Sequence, residues 1–176
     1  VLYIGISDTP AWIIAQANTI ATLRGWSPFV ALQIEYNLLE RTSERELLPM
    51  AQAFELTVTP WAPLAGGILS GKYNAPTASI DSKRKDSGWL EFTNHKLAVA
   101  RQVEQVARDI GRTSSQVALN WLFQTNPDCV PIIGARTLAQ VEDNLKCVEF
   151  QLSSEHLAAL NEVSHIELGF PHDFFR

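Results

Sequence analysis

Four short apolar runs, spaced so that helical patterns fit between them, constrain the fold more than any other feature of this chain. Val1–Ser7, Phe29–Ile34, Thr57–Trp61 and Cys129–Ile133 are nearly continuous in apolar and β-branched residues. Continuous rather than alternating apolar character is the mark of strands buried on both faces, as in parallel sheets. Helix signals lie between them. Pro10 sits near the first helical position with Asp8 or Thr9 as cap, and Gly25 stops that helix. Ser43 and Glu46 have capping-box spacing, and Pro49 should bend or shorten the helix they open. A third helix runs from about Asn94 to Ile110 and stops at Gly111; a fourth begins at Thr113 with Gln116 three residues on. Thr137 and Gln140 repeat that spacing after the last apolar run, and a final helix begins near Ser153.

The order β-α-β-α-β-loop-α-α-β-α-α implies parallel strands joined by right-handed crossovers. With 176 residues, no repeat and no linker, the chain reads as a single domain over 1–176 with a substantial core. Four βα units can form a small open sheet or half of an eight-stranded barrel. Polar or special residues gather after each strand: Ser7-Asp8, Glu35-Tyr36-Asn37, Ala62-Pro63-Leu64 and Gly134-Ala135-Arg136. Barrels build their sites from these strand ends. An open dinucleotide-binding sheet would carry a glycine-rich turn after its first strand, and Ser7-Asp8-Thr9-Pro10 is not one. The expected fold is therefore α/β, a parallel (β/α) half-barrel. Because the chain opens on Val1 inside a strand-like run and closes on FPHDFFR without a polar tail, a fragment is expected.

Composition narrows the function classes. A net charge of −5 argues against nucleic acid or an anionic membrane as partner. Any phosphate site must be local, made of loop amides and a few basic side chains. No run of about 18 apolar residues is present and no secretory leader is read. Two cysteines without a pairing motif suggest a reducing compartment, most simply the cytoplasm.

Three segments carry chemistry. In Trp61-Ala62-Pro63-Leu64-Ala65-Gly66-Gly67-Ile68-Leu69-Ser70-Gly71-Lys72-Tyr73 a strand ends in a flat aromatic face, followed by glycines that let amides approach phosphate oxygens and by a lysine. The spacing of Gly66, Gly71 and Lys72 imitates a Walker A loop. Tyr73 replaces the magnesium-holding hydroxyl and Pro76 blocks the required helix, so a P-loop is rejected. A solvated glycine loop is the bland alternative. In the second segment, Gly134 to Asn144, a helix opens directly after a strand, where free amides attract anions and Arg136 could clamp a phosphate. Gln140 and Asn144 share one helix face. The plainer reading is a capping box with a surface arginine. Third, Gln33 interrupts an apolar strand and Ser7 ends another; either could hold a carboxamide or simply a neighbouring strand or water. The histidines His95, His156, His165 and His172 show no metal spacing, and no nucleophile triad can be assembled.

Together the phrases YIGISDTPAW, ALQIEYNLLER, TVTPWAPLAGGILSGKY, SQVALNWL and IIGARTLAQVEDNL closely resemble the aldo-keto reductase family, in family order and over nearly the whole chain. The resemblance implies the fifth to eighth units of a (β/α)8 TIM barrel that binds NADP(H) in extended form. It implies that Ser7 and Gln33 hold the nicotinamide carboxamide and that Trp61 stacks on the ring. Many members have Tyr there, and the potassium-channel β-subunit branch has Trp. Ala62, Pro63, Leu64, Ala65, Gly66 and Lys72 correspond to the loop that wraps the pyrophosphate, with Arg84 as a basic residue of the next loop. Gly134, Arg136, Gln140, Asp143 and Asn144 correspond to the 2′-phosphate and adenine pocket. Asp8 departs from the commonest family sequence, which has Asn after the serine. The family's catalytic Asp, Tyr, Lys and His come from the first four units. This chain holds none of them, so by resemblance it supplies cofactor binding and one wall of a pocket for a small carbonyl substrate. The expected partner is the missing N-terminal half-barrel, or a second copy. A non-catalytic redox-sensing subunit, like the channel β subunits, is the alternative function.

Overall fold

The computed structural model describes residues 1–74 and 92–174. Three parallel strands form the sheet in sequential order: β1 (Ile4–Ser7), β2 (Phe29–Glu35) and β3 (Thr57–Trp61). Among the described residues the α-helices are α1 (Ala11–Arg24), α2 (Leu47–Ala53), α3 (Asn94–Asp109), α4 (Ser114–Thr125), α5 (Leu138–Leu145) and α6 (Ser154–Val163). The fold is thus a parallel α/β arrangement in which sheet order follows chain order.

The expected strand over Val1–Ser7 begins only at Ile4. Its register starts at Ile4 opposite Phe29, so Val1, Leu2 and Tyr3 precede the neighbour they would pair with and stand exposed. β2 runs one residue past Ile34 because Glu35 still pairs with Trp61. The expected fourth strand, Cys129–Ile133, is reduced to a single parallel bridge between Val58 and Cys129. Two regular rungs are nevertheless present: Val130 N–H donates to the Val58 carbonyl and Ile132 N–H to the Pro60 carbonyl, both at 2.8 Å. Pro60 has no N–H to return a bond to the Val130 carbonyl, so the ladder lacks the bond between these two rungs. The alternation that turns Val130 and Ile132 toward β3 turns Pro131 toward the outer edge.

Helix entry also departs from expectation at two places. Pro10 itself is the cap of α1, with no side-chain cap bond from Asp8 or Thr9. Ser43 does not form a capping box with Glu46; its hydroxyl donates to the Glu35 carbonyl at 3.0 Å, inside a 3-10 turn over Thr42–Glu44. α2 therefore starts at Leu47, which puts Pro49 in the first turn, where its missing N–H costs no intrahelical bond. At α4 the box is complete, with Thr113 and Gln116 bonded reciprocally.

One face of the sheet is packed. Leu32, Ile34 and Val58 join Val99, Val103, Val117, Trp121 and Leu160 in the core. A polar staple ties β2 to the far helices. Arg41 grips Glu44 through Nε–Oε1 (2.7 Å) and Nη2–Oε2 (3.0 Å), while Nη1 donates to Ser164 Oγ at 2.8 Å. The other face of the sheet is open: Val130 and Ile132 keep 58% and 45% of their surface. Apolar side chains are also bare at both ends of the order, Trp12 and Leu23 on α1 and Leu138 and Leu145 on α5.

Cys129 and Cys147 are buried free thiols. Burial pushes Cys129 up to about 12 and raises Cys147. Because the thiolate is the reactive form, peptides containing either cysteine should be recovered unmodified after iodoacetamide treatment of native protein. Both should be alkylated once denaturant is added. Among the described residues no helix is long and apolar enough to cross a membrane, and no cluster of metal-ligating side chains occurs.

Candidate functional site

Strand register assembles the open face into rows. Ser7 pairs with Gln33 and Gln33 with Thr59, so all three project from the same side in one row. One row further toward the strand ends, Glu35 pairs with Trp61. The sequence marked Ser7, Gln33 and Trp61 separately; the parallel register brings them together. The Gln33 side-chain amide makes no hydrogen bond among the described residues, so both of its ends are available. Ser7 donates its hydroxyl to Asp8 Oδ2 at 3.1 Å, and the Trp61 indole N–H donates to Asp8 Oδ1 at 3.1 Å. The Glu35 carboxyl is raised above the usual carboxylate range, chiefly by burial and partly opposed by a hydrogen bond from Asn37.

Beyond Trp61 the chain turns sharply. Ala62 and Ala65 have φ of 48° and 47°, and Gly66 and Gly67 follow at 64° and 96°. The turn is closed by its own backbone, with Ala65 N–H donating to the Ala62 carbonyl and Gly67 N–H to the Leu64 carbonyl, both at 2.8 Å, and the glycines leave the backbone open to close approach. Lys72 folds back over this turn: a Cβ on Gly67 would lie 2.9 Å from its Cε and Nζ. Its ammonium also rests 4.5 Å from the centroid of the Tyr73 ring.

Facing this turn is the start of α5. Thr137 caps it and accepts from Gln140 N–H. The expected reciprocal bond reaches one residue further back: Gln140 Oε1 accepts from Arg136 N–H at 2.8 Å and not from Thr137. That contact curls the Gly134–Arg136 segment onto the helix. Arg136 is exposed, and its guanidinium has no partner among the described residues. Asp143 is committed, Oδ2 accepting from Thr113 at 2.9 Å and Oδ1 from Gln116 Nε2 at 2.8 Å. It holds α5 against α4. Asn144 is largely buried on the same wall.

A cleft of about 860 Å³ runs between the two segments. Ala62, Pro63, Leu64, Gly66 and Lys72 line one side; Gly134, Arg136, Gln140, Asp143 and Asn144 line the other. The size is that of ligand pockets. Its lining carries an ammonium, from Lys72, and a guanidinium, from Arg136, beside the glycine turn, and the Trp61 ring stands immediately before that turn at the end of β3. These suit an elongated ligand with a planar ring and several phosphates. Arg84 and the rest of 75–91, most of the loop expected over Lys72–Thr93, lie outside the described residues.

Asn37 is a site residue that motif reading passed over. Its Nδ2 donates to the Ala62 carbonyl at 3.0 Å, and its Oδ1 accepts from Leu39 and Glu40 N–H. One buried side chain thus shapes the turn after β2 and fixes the turn after β3. Its signal was an Asn directly after a strand, a residue type that bonds nearby backbone. Asn37→Ala should destabilise the fold by roughly 2 kcal/mol, since it strands buried backbone groups. Urea unfolding measures this, and a change within error would assign those groups to water.

Comparison with known proteins matches residues 1–165 to the model of the aldo/keto reductase family. The chain is 33% identical over 187 residues to an aryl-alcohol dehydrogenase [NADP(+)] of Phanerodontia chrysosporium, covering 99% of this chain and 47% of that protein. It is 37% identical over 164 residues to an uncharacterized oxidoreductase of Bacillus subtilis, covering 92% and 48%. A similar likeness, 33% over 181 residues and covering 98% and 44%, links it to an aldo-keto reductase of Aspergillus calidoustus. The chain spans about half the length of these curated relatives. From the match along nearly its whole length, the chain belongs to the aldo/keto reductase family.

Proposed function

We propose that this chain is the NADP(H)-holding half of a (β/α)8-barrel oxidoreductase that reduces aldehydes or ketones. The observation that carries the reading is the register that sets Ser7, Gln33 and Trp61 on one open sheet face beside the cation-lined cleft. When bound, the dinucleotide supplies a hydride to a carbonyl carbon. The chain's own residues bind and orient. Trp61 offers its face to the nicotinamide ring, and Ser7 and Gln33 hold the carboxamide. Gly66, the loop Ala62–Ala65 and Lys72 receive the pyrophosphate. Arg136 takes the 2′-phosphate, and Gln140, Asp143 and Asn144 form the adenine wall. Arg84 is assigned to the same loop region by resemblance alone.

The half-barrel reading is supported by sequential parallel order, by one packed and one open sheet face, and by bare apolar side chains at both ends. A parallel sheet is normally covered on both faces, and four further units would cover this one. The proton donor is assigned to that other half, and residues 1–176 alone should show no turnover.

The test is a titration of the intact gene product with NADP+ and NADPH, followed by NADPH oxidation with an aromatic aldehyde, the class suggested by the aryl-alcohol dehydrogenase relative. Tight binding with turnover is expected. Binding without turnover would favour a regulatory subunit, and absence of binding would overturn the reading.

A further inference from the structure

Asp8 occupies an unusual place in the site. It follows β1 in a left-handed conformation, φ 46°, which Asp tolerates better than most residues. Its N–H donates to the Gln33 carbonyl at 3.1 Å, continuing the ladder one residue past the strand. Thr9 Oγ donates to the Ser7 carbonyl at 2.9 Å and closes the turn. With the backbone so held, the carboxylate reaches from the end of β1 across β2 to β3. Oδ1 accepts from the Trp61 indole and Oδ2 from Ser7 Oγ.

Two consequences follow from this geometry. The indole N–H is tethered, so the ring plane is set before any ligand arrives. Ser7 spends its only proton on Asp8 and offers an incoming carboxamide lone pairs alone, which selects the NH₂ end. In addition, the atom that orients the ring belongs to an anion. A neutral Asn could accept the same indole bond without placing charge beside the platform.

We propose that Asp8 is the positioning residue of the Trp61 platform, and that its carboxylate makes the site favour the oxidised, cationic nicotinamide ring over the neutral reduced ring. This rests on the NADP(H) reading above. The physical basis is that a fixed charge interacts with the ring only in the form that carries charge. Removing the charge therefore weakens the oxidised form and leaves the reduced form nearly unchanged, so the effect shows in the ratio of the two affinities.

The test uses the intact gene product and two variants. Asp8→Asn keeps an acceptor for the indole and removes the charge; Asp8→Ala removes both. Dissociation constants for NADP+ and NADPH are measured separately. The Trp61 indole N–H resonance, assigned by its loss in Trp61→Phe, is followed without ligand. Asp8→Asn should shift the affinity ratio about fivefold toward NADPH while the indole resonance stays hydrogen-bonded. Asp8→Ala should produce the same shift, move the indole resonance and weaken both forms. If Asp8→Ala does not fold, Asp8→Asn alone carries the charge test. An unchanged ratio in Asp8→Asn overturns the charge effect, and an unmoved indole in Asp8→Ala overturns the positioning role. Wild-type protein that binds neither form overturns the proposed function and this inference with it.

Discussion

Glu44→Ala should cost about 3–5 kcal/mol of stability, the range for breaking a buried ion pair from one side. The side chains of Arg41 and Glu44 retain only 11% and 23% of their surface. The pair is bidentate, and Glu44 Oε1 also accepts the Tyr36 hydroxyl at 2.8 Å. Arg41 lies 5.2 Å from the Trp121 ring centroid, and Trp121 donates to Asn161 Oδ1 at 3.1 Å. Deleting the carboxylate leaves a guanidinium desolvated against an aromatic ring with only neutral acceptors, and strands the Tyr36 hydroxyl. Burial already holds that phenol far above its usual range, with Glu44 adding to the effect. Thermal unfolding should report the loss as a fall of roughly 10 °C in midpoint for a domain of this size. The double replacement Arg41→Met with Glu44→Leu should recover much of it, because the uncompensated charge is then gone. A loss below about 1 kcal/mol for Glu44→Ala would mean that water reaches Arg41.

Arg136→Ala should weaken NADP+ binding about 10- to 100-fold and leave NAD+ binding nearly unchanged. A charge-assisted bond to phosphate is worth about 1.5–3 kcal/mol, and the 2′-phosphate is the one group that separates the two dinucleotides. Arg136 suits this role because its backbone N–H is pinned by Gln140 while its side chain is free on the cleft rim. Paired titrations measure the effect. An equal loss for both dinucleotides would move Arg136 to the pyrophosphate.

Element identity was largely legible, because apolar runs and caps are local signals. Thr57–Trp61 matches its expected bounds, α3 begins at Asn94 as expected, and α4 opens behind Thr113, whose hydroxyl accepts the expected Gln116 amide. The fourth strand was overcalled, since an apolar run does not reveal whether its neighbour can return each bond; Pro60 cannot. Ser43 was misread because a hydroxyl can serve a helix end or a distant carbonyl, and only the path of β2 decides. The site residues were named one at a time, whereas their shared row depends on register, a nonlocal property. Asn37 and the double duty of Asp8 escaped for the same reason: both act on β3 from elsewhere in the sequence.

The Cys129–Ile133 segment has a further consequence for association. On its outer edge Cys129 N–H is already bonded to the Asn126 carbonyl, and Pro131 has no N–H at all. This edge can accept hydrogen bonds but scarcely donate them. Two copies of it brought together would present carbonyls to carbonyls, so self-zippering of identical edges is disfavoured. A strand that adds here must bring its own donors, which makes the edge selective for a different sequence.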